Sequence, residues 1–302
     1  MPRILVTGKN GQLGFELCRA LAPLGEVVAL DEHELNLASP DAIRAKVREV
    51  RPRSIVNAAA YTAVDRAETE SNLAMKVNGV APGVLAEEAK RLGALMVHYS
   101  TDYVFDGTKD GPYTESDAPN PLSAYGRSKL AGDLAIQAIG VPHYIFRTSW
   151  VYAARGHNFV NTMLRLAREC TELRVVNDQI GAPTWARFIA DTTAHVLGEA
   201  LRDAGVAREK RGLYNLTASG RTSWFGFAEA IFAEASKVIS NTRVPRLIAI
   251  PTAEYPLPAR RPLNSRLDNS KLVKTFGLQL PDWHAMLKAC MRDVGAGIGN
   301  GK

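Results

Sequence analysis

The stretch Arg3-Ile4-Leu5-Val6-Thr7, followed by Gly8-Lys9-Asn10-Gly11-Gln12-Leu13-Gly14, constrains this chain more than any other. A short apolar strand runs into three glycines at three-residue spacing, and a helical pattern then continues to about Leu24. In that context Gly8 permits a tight turn, Gly11 lets a pyrophosphate approach the backbone, and Gly14 lets helix and strand pack closely. The free N–H groups and the dipole at the helix N-terminus favour an anion there. A plain strand-to-helix turn is the alternative, but spacing and context together favour a dinucleotide-binding turn.

The alternation continues. Glu26–Leu30 reads as a second strand, ending at Asp31. An acid there commonly binds the adenosine ribose hydroxyl and repels a 2′-phosphate, which favours NAD(H); Lys9 offsets that repulsion, so NADPH and NADH both stay open. Ser39 is a candidate N-cap for a helix opened by Pro40 and running to about Val50. Ser54–Ala60 is the next strand, and its small tail, Ala58 to Ala60, suits either a flat cofactor or simple core packing. A helix over Val80–Leu92 precedes the strand Ala94–Ser100, which delivers Thr101 and Asp102 at its carboxyl end. Strands alternating with helices predict an α/β fold with a doubly wound parallel sheet, whose ligands bind beyond the carboxyl ends of the strands. Residues 1–150 are read as a Rossmann domain. Residues 151–302, where the texture changes, are read as a smaller α+β substrate-binding domain, with part of 184–217 a candidate to return to the first sheet.

Tyr103–Ala124 is a long loop rich in Gly, Pro, Asp and Asn, long enough to suggest function. After it comes Tyr125-Gly126-Arg127-Ser128-Lys129 on a helix running to about Ile139. Helical spacing places the Tyr125 hydroxyl and the Lys129 ammonium on one face. A nearby cation favours the phenolate, so the pair suits proton transfer to a reacting oxygen. Taken alone, Tyr-x-x-x-Lys is a weak pattern and reads as an ordinary exposed helix.

Composition excludes several classes. Apolar residues are 46% and charged residues 23% of 302, which is ordinary for a globular chain. The net charge of +6 comes without a Lys/Arg run, so an anionic small molecule fits better than nucleic acid. Cys18, Cys170 and Cys290 are far apart and odd in number, which predicts no disulfide framework and suits the cytoplasm. The six histidines form no ligand pair, and no apolar run reaches membrane-span length.

Thr7-Gly8-x-x-Gly11-x-x-Gly14 together with Tyr125-x-x-x-Lys129 resembles the extended short-chain dehydrogenase/reductase family. Further stretches narrow the resemblance to members that reduce a dTDP-4-keto sugar: Val56-Asn57-Ala58-Ala59-Ala60-Tyr61-Thr62-Ala63-Val64-Asp65, Ser100-Thr101-Asp102-Tyr103-Val104-Phe105, Arg147-Thr148-Ser149-Trp150-Val151-Tyr152, Asn177-Asp178-Gln179-x-Gly181-Ala182-Pro183-Thr184 and Arg260-Arg261-Pro262-x-Asn264-Ser265. The resemblance implies reduction of dTDP-4-dehydro-L-rhamnose to dTDP-L-rhamnose by NADPH or NADH. In that case Tyr125 is the proton donor, Lys129 holds the nicotinamide ribose and lowers the Tyr125 pKa, and Thr101 hydrogen-bonds the same oxygen. It further implies that Asp102, Val64 and Trp150 lie at the sugar. Gly8, Gly11, Gln12, Leu13, Gly14, Asp31, Ala58, Ala60, Tyr61, Thr62 and Tyr99 would lie at the cofactor, with Asn36 and Leu37 beside the adenine. Arg260 and Arg261 suit the substrate diphosphate through planar bidentate bonding. Some members are dimers bridged by a metal, Mg among the candidates, between acidic residues. Glu16 is one such candidate, but Arg187 stands where a second acid would align, so no metal is expected and monomer and homodimer both stay open. Two other readings remain: an epimerase or dehydratase of the same superfamily, and a non-catalytic dinucleotide-binding subunit.

Overall fold

The computed structural model describes residues 1–239 and 243–299. Strands β1 (Arg3–Thr7), β2 (Glu26–Leu30), β3 (Ser54–Asn57), β4 (Leu95–Thr101) and β5 (His143–Thr148) join Gly212–Asn215 in one six-stranded sheet. The spatial order is Gly212–Asn215, β5, β4, β3, β1, β2, and every pairing is parallel. The chain steps from β1 out to β2 and then crosses back to β3. Strand order therefore reverses between β1 and β3, where a crevice opens at the carboxyl ends.

Side chains alternate across the sheet because strand periodicity is two. Ile4, Val6, Val56, Val97 and Phe146 pack with the helices Gln12–Leu21 and Ala186–Arg202. Leu5, Ile55, Met96 and Ile145 pack on the other face with Pro40–Val50, Ala81–Leu92 and Ala124–Ile139. Both faces are covered, which is why these strands are nearly all apolar. Local signals set the helix ends. Ser39 Oγ accepts from Ala42 N at 3.3 Å with Pro40 in the first turn. Ser123 Oγ accepts from Gly126 N at 3.1 Å, and Gly140 ends the Tyr125 helix at φ 71°.

Three elements differ from expectation. β3 stops at Asn57, the last residue with a register partner on β1; Ala58–Ala60 leave the sheet to pass Gly8. A Cβ on Gly8, at φ 76°, would lie 2.9 Å from the Ala59 backbone. The helix before Leu92 begins at Ser71 and passes through a π turn over Lys76–Val80. Gly79 and Pro82 look like breakers in sequence, but Pro82 opens the next helix and the π turn absorbs the change. Arg246–Ile250, unassigned from sequence, pairs in parallel with Glu172–Val176, a long-range contact with no local signal. These two strands pack with the helices Phe159–Glu169, Trp224–Val238 and Trp283–Gly299 around a second core that includes Phe227, Phe232, Trp283 and Leu287. Gly212–Asn215 and the helix Ala186–Arg202 join the first sheet and its core instead. No helix among the described residues is long and apolar enough to cross a membrane.

The Tyr125 helix is pressed against the π turn at Gly132, where an added Cβ would lie 2.2 Å from Asn78 O. Gly132→Ala is expected to cost about 1–3 kcal/mol through forced separation of the two helices, read as a lower urea midpoint.

Candidate active site

Sheet register places the polar side chains under the site. Thr7 pairs with Asn57 and Asn57 with His98, so the three stand side by side across β1, β3 and β4. They continue the rows of Leu5, Ile55 and Met96 and face the Tyr125 helix. Thr7 Oγ1 donates to Asn57 Oδ1 at 2.7 Å and accepts from Ala59 N at 3.2 Å. Asn57 Nδ2 lies 3.1 Å from His98 Nδ1, and His98 Nε2 lies 3.3 Å from Lys129 Nζ. Lys129 also donates to Tyr99 O at 2.5 Å. Its side chain is 2% exposed, and burial, partly offset by the Asp133 carboxylate, lowers its pKa to about 8. One turn further along the helix, Asp133 accepts from Ser100 Oγ at 2.7 Å and faces Arg147 Nε at 3.5 Å.

Tyr125 and Thr101 come together. Their hydroxyls share a hydrogen bond, and Thr101 Oγ1 donates to Asp102 Oδ1 at 3.0 Å. Burial and the Asp102 charge push the Tyr125 phenol above its ordinary range, so it holds its proton at neutral pH. Lys129 in this state engages Tyr99 O and His98, and the groups that shift Tyr125 are burial, Asp102, Thr101 and Asp133. The expected lowering of the Tyr125 pKa by Lys129 is therefore not realised in this arrangement, in which the ammonium is engaged by Tyr99 O and His98. Burial, offset by the Ser265 and Thr101 hydroxyls, pushes the Asp102 carboxyl up to about 6.

The glycine turn fits a dinucleotide. Gly11 begins the helix Gln12–Leu21 without any side-chain cap, which leaves the first N–H groups for an anion. A Cβ on Gly14 would sit 1.9 Å from Gly8 O, so no other residue fits there. Gln12 Oε1 is buried without a hydrogen-bond partner among the described residues, a donor-seeking atom at the edge of the turn. Leu13 is partly buried against the core. Asp31 accepts from His33 N at 3.0 Å, Glu34 N at 3.2 Å and Asn10 Nδ2 at 3.1 Å, and lies 3.5 Å from Lys9 Nζ. Lys9 also pairs with Glu34. Asp31 thus shapes its own loop as well as facing the crevice. Asn36 is exposed, whereas Leu37 is 7% exposed and packs in the core beneath the sheet.

Ala58 and Ala60 are half-buried and Thr62 is exposed. Tyr61 is fixed by its backbone: its N–H donates to Asn78 Oδ1 and its carbonyl accepts from Asn78 Nδ2, both at 2.9 Å. Its ring joins Tyr125 in one small apolar cluster with Ala67, Ala74 and Ala124. The Tyr99 side chain turns to the opposite face of the sheet from His98, bonds Thr193 Oγ1 at 2.8 Å and packs in the core, so Tyr99 reaches the site only through its carbonyl.

On the substrate side, Val64 is half-buried. Trp150 has φ 50°, uncommon for a bulky residue and frequent at functional sites. Its indole stacks on Trp224, with ring centroids 3.6 Å apart, over Gly181, where a Cβ would meet the ring at 2.5 Å. Arg260 is exposed. Arg261 has partners that the sequence did not predict. Its guanidinium holds Asp65 at 2.8 and 3.1 Å and also hydrogen-bonds Tyr103, so it braces the 251–266 arm. Tyr103 meets the Tyr125 ring edge-on at 5.8 Å. Asn264 Nδ2 donates to Lys109 O at 2.6 Å and Gly111 O at 2.8 Å, tying the same arm to the 103–124 loop. That loop folds around Asp106, which accepts from Thr108, Tyr113 and Asn120. Tyr103, Asp65, Asn78 and Ser265 were missed as site-shaping residues from sequence; Asp65, Tyr103 and Ser265 stand inside the motifs given above, whereas Asn78 lies outside all of them and carried no such signal.

The metal position does not fit a cation. Glu16 is buried and paired with Arg187 at 3.0 Å and Arg19 at 3.1 Å, and Arg187 also holds Asp293 at 2.6 Å. Two guanidinium groups already neutralise that carboxylate. Among the described residues no cluster of three metal-ligating side chains forms.

Residues 2–295 match the family model described as the RmlD substrate binding domain. The chain belongs to the dTDP-4-dehydrorhamnose reductase family. It is 53% identical to the dTDP-4-dehydrorhamnose reductase of Burkholderia thailandensis, over 97% of this chain and 99% of that protein. It is 49% identical to the reductase of Escherichia coli K12, over 96% and 97%. A solved dTDP-4-dehydrorhamnose reductase from Bacillus anthracis, in complex with NADP, superposes with TM-score 0.86 at 34% identity over 97% of this chain and 99% of that one.

Asp102 gives this site a pH signature. Its folded-state pKa lies above the ordinary 3.8, so its carboxyl favours the fold below about pH 4, and that contribution is lost as pH rises through about 6. Asp102→Asn is therefore expected to gain up to about 3 kcal/mol over the parent at pH 8 and nothing at pH 4. Urea midpoints at both pH values check this.

Proposed function

We propose that this chain is an NAD(P)H-dependent oxidoreductase that reduces the 4-keto group of dTDP-4-dehydro-L-rhamnose, giving dTDP-L-rhamnose in the last step of that sugar nucleotide's synthesis. The observation that carries the assignment is the hydrogen-bonded Tyr125–Thr101 pair, with the buried Lys129 one turn further along the Tyr125 helix, at the carboxyl edge where the glycine turn also opens. Family membership over nearly the whole chain supports the substrate class.

A bound nicotinamide would supply a hydride to the carbonyl carbon, which leaves the sugar oxygen needing a proton. Tyr125 gives that proton, and its protonated resting form suits a donor. Thr101, its hydroxyl proton turned from Asp102, donates a second hydrogen bond to the same oxygen and stabilises the charge that develops there. Lys129 holds the nicotinamide ribose and, once turned towards it, favours the tyrosinate left after transfer. Gly8, Gly11 and Gly14 with the helix N-terminus take the pyrophosphate, and Asp31 faces the adenosine ribose. Ala58, Ala60, Tyr61 and Thr62 line the cofactor path, and Gln12 Oε1 supplies an acceptor beside it. Asp102, Val64 and Trp150 contact the sugar and Arg260 the diphosphate. The free thiols of Cys18, Cys170 and Cys290 suit a cytoplasmic enzyme, as monomer or homodimer.

With dTDP-4-dehydro-L-rhamnose, the enzyme is expected to oxidise NADPH or NADH, and Tyr125→Phe to lower kcat by about 10²–10⁴. Undiminished turnover in that variant overturns the assignment. Arg260→Ala is expected to raise KM for the nucleotide sugar more than KM for the cofactor in steady-state assays.

A further inference from the structure

His98 is 1% exposed and lies between Asn57 and Lys129, yet neither the hydride step nor substrate binding uses it. The groups around it come from every packed element: Asn57 from β3, Lys129 and Asp133 from the Tyr125 helix, the Asp133 carboxylate lying 3.9 Å from Nε2. Arg147 of β5 stands one contact further, beside Asp133. Burial and the Lys129 charge keep the imidazole neutral.

A neutral imidazole carries one proton, so its two nitrogens cannot both accept. With Asn57 Nδ2 donating to Nδ1, the proton sits on Nε2 and points at Lys129 Nζ, which suits a lysine amine with a free lone pair. With the Asn57 amide turned over, Oδ1 accepts from Nδ1–H, Nδ2 donates to Thr7 Oγ1, and Nε2 accepts from a lysine ammonium. The Lys129–His98–Asn57 contacts thus have two hydrogen-bond settings, one for each protonation state of Lys129, and the second releases the Thr7 hydroxyl proton from Asn57 Oδ1. They are linked from Lys129 to Thr7, which directly precedes the glycine turn and receives Ala59 N–H.

We infer that His98 is a positioning residue: backed by the Thr7–Asn57–His98 row, it positions the Lys129 nitrogen in either protonation state. This rests on Tyr125 and Lys129 being the working pair. The side chain that reaches Lys129 is the one that matters. An Asn amide at position 98 overlays the Nδ1 end of the ring and keeps contact with Asn57, whereas a Gln amide overlays the Nε2 end and keeps contact with Lys129.

The test uses the full chain with dTDP-4-dehydro-L-rhamnose and NADPH. His98→Asn is expected to lower kcat at least tenfold, to leave KM for the nucleotide sugar within twofold, and to move the pH limb of kcat by at least half a unit. His98→Gln is expected to stay within about threefold of the parent. A His98→Asn enzyme matching the parent overturns the inference, and so do equal losses in both variants with an unmoved pH profile, which would indicate packing alone. If neither variant folds, ¹⁵N shifts of the His98 ring in the parent decide: a neutral ring whose tautomer changes between pH 6 and 10 supports the inference, and a fixed tautomer overturns it. Tyr125→Phe is run alongside. Activity retained there removes the catalytic assignment itself, whereas activity lost there with His98→Asn unaffected removes only the role of His98.

Discussion

A lysine ammonium buried at 2% exposure is the constraint around which the rest of the site is arranged. Burying a charge is costly unless it is hydrogen-bonded and paired. Lys129 meets that cost with Tyr99 O, His98 Nε2 and the field of Asp133. Each of those partners depends on strand register. Thr7, Asn57 and His98 are a single rung across β1, β3 and β4, and Ser100, two residues beyond His98, reaches Asp133 from the same face. A one-residue slip of β4 would turn His98 and Ser100 to the other face and bring Tyr99 to Lys129. The apolar rows Leu5, Ile55 and Met96 that fix the register therefore also fix the electrostatics of the active site.

The second half of the chain acts on the same site from above. Asp65 from the loop after β3 is clamped by Arg261, which also reaches Tyr103, and Tyr103 lies edge-on to Tyr125. Asn264 ties the arm to the 103–124 loop, and Ser265 approaches Asp102. A loop of this length carries few local constraints, and here the order comes from Asp106 inside it and from the arm outside it. Trp150, at φ 50° on Trp224, joins the two halves at the point where the chain leaves the sheet.

Much of this was legible in the sequence. Strand–glycine turn–helix, the alternation that follows, Ser39 and Pro40 at one helix start and Tyr125-x-x-x-Lys129 are local patterns with local physical causes. The convergence of Tyr125 with Thr101 followed from placing both at carboxyl ends of one parallel sheet. What was not legible was long-range. Arg261 suits a diphosphate in sequence, and its bracing contact with Asp65, 196 residues away in the chain, appears only in the fold. Tyr99 and Leu37 read as cofactor contacts but turn their side chains into the core. Arg246–Ile250 has no partner until Glu172–Val176 lies beside it.

By itself the sequence determined the chemistry available: a turn only glycines can make, a phenol and an amine on one helical face, and apolar strands that must be covered on both sides. Only the tertiary structure decided what those groups are worth. Whether Lys129 is an exposed cation or a buried one near pKa 8, and whether Asp102 is an ordinary acid or one near 6, depends on desolvation and on neighbours far away in the chain. Those are properties of a packed interior, and no short stretch of residues contains them.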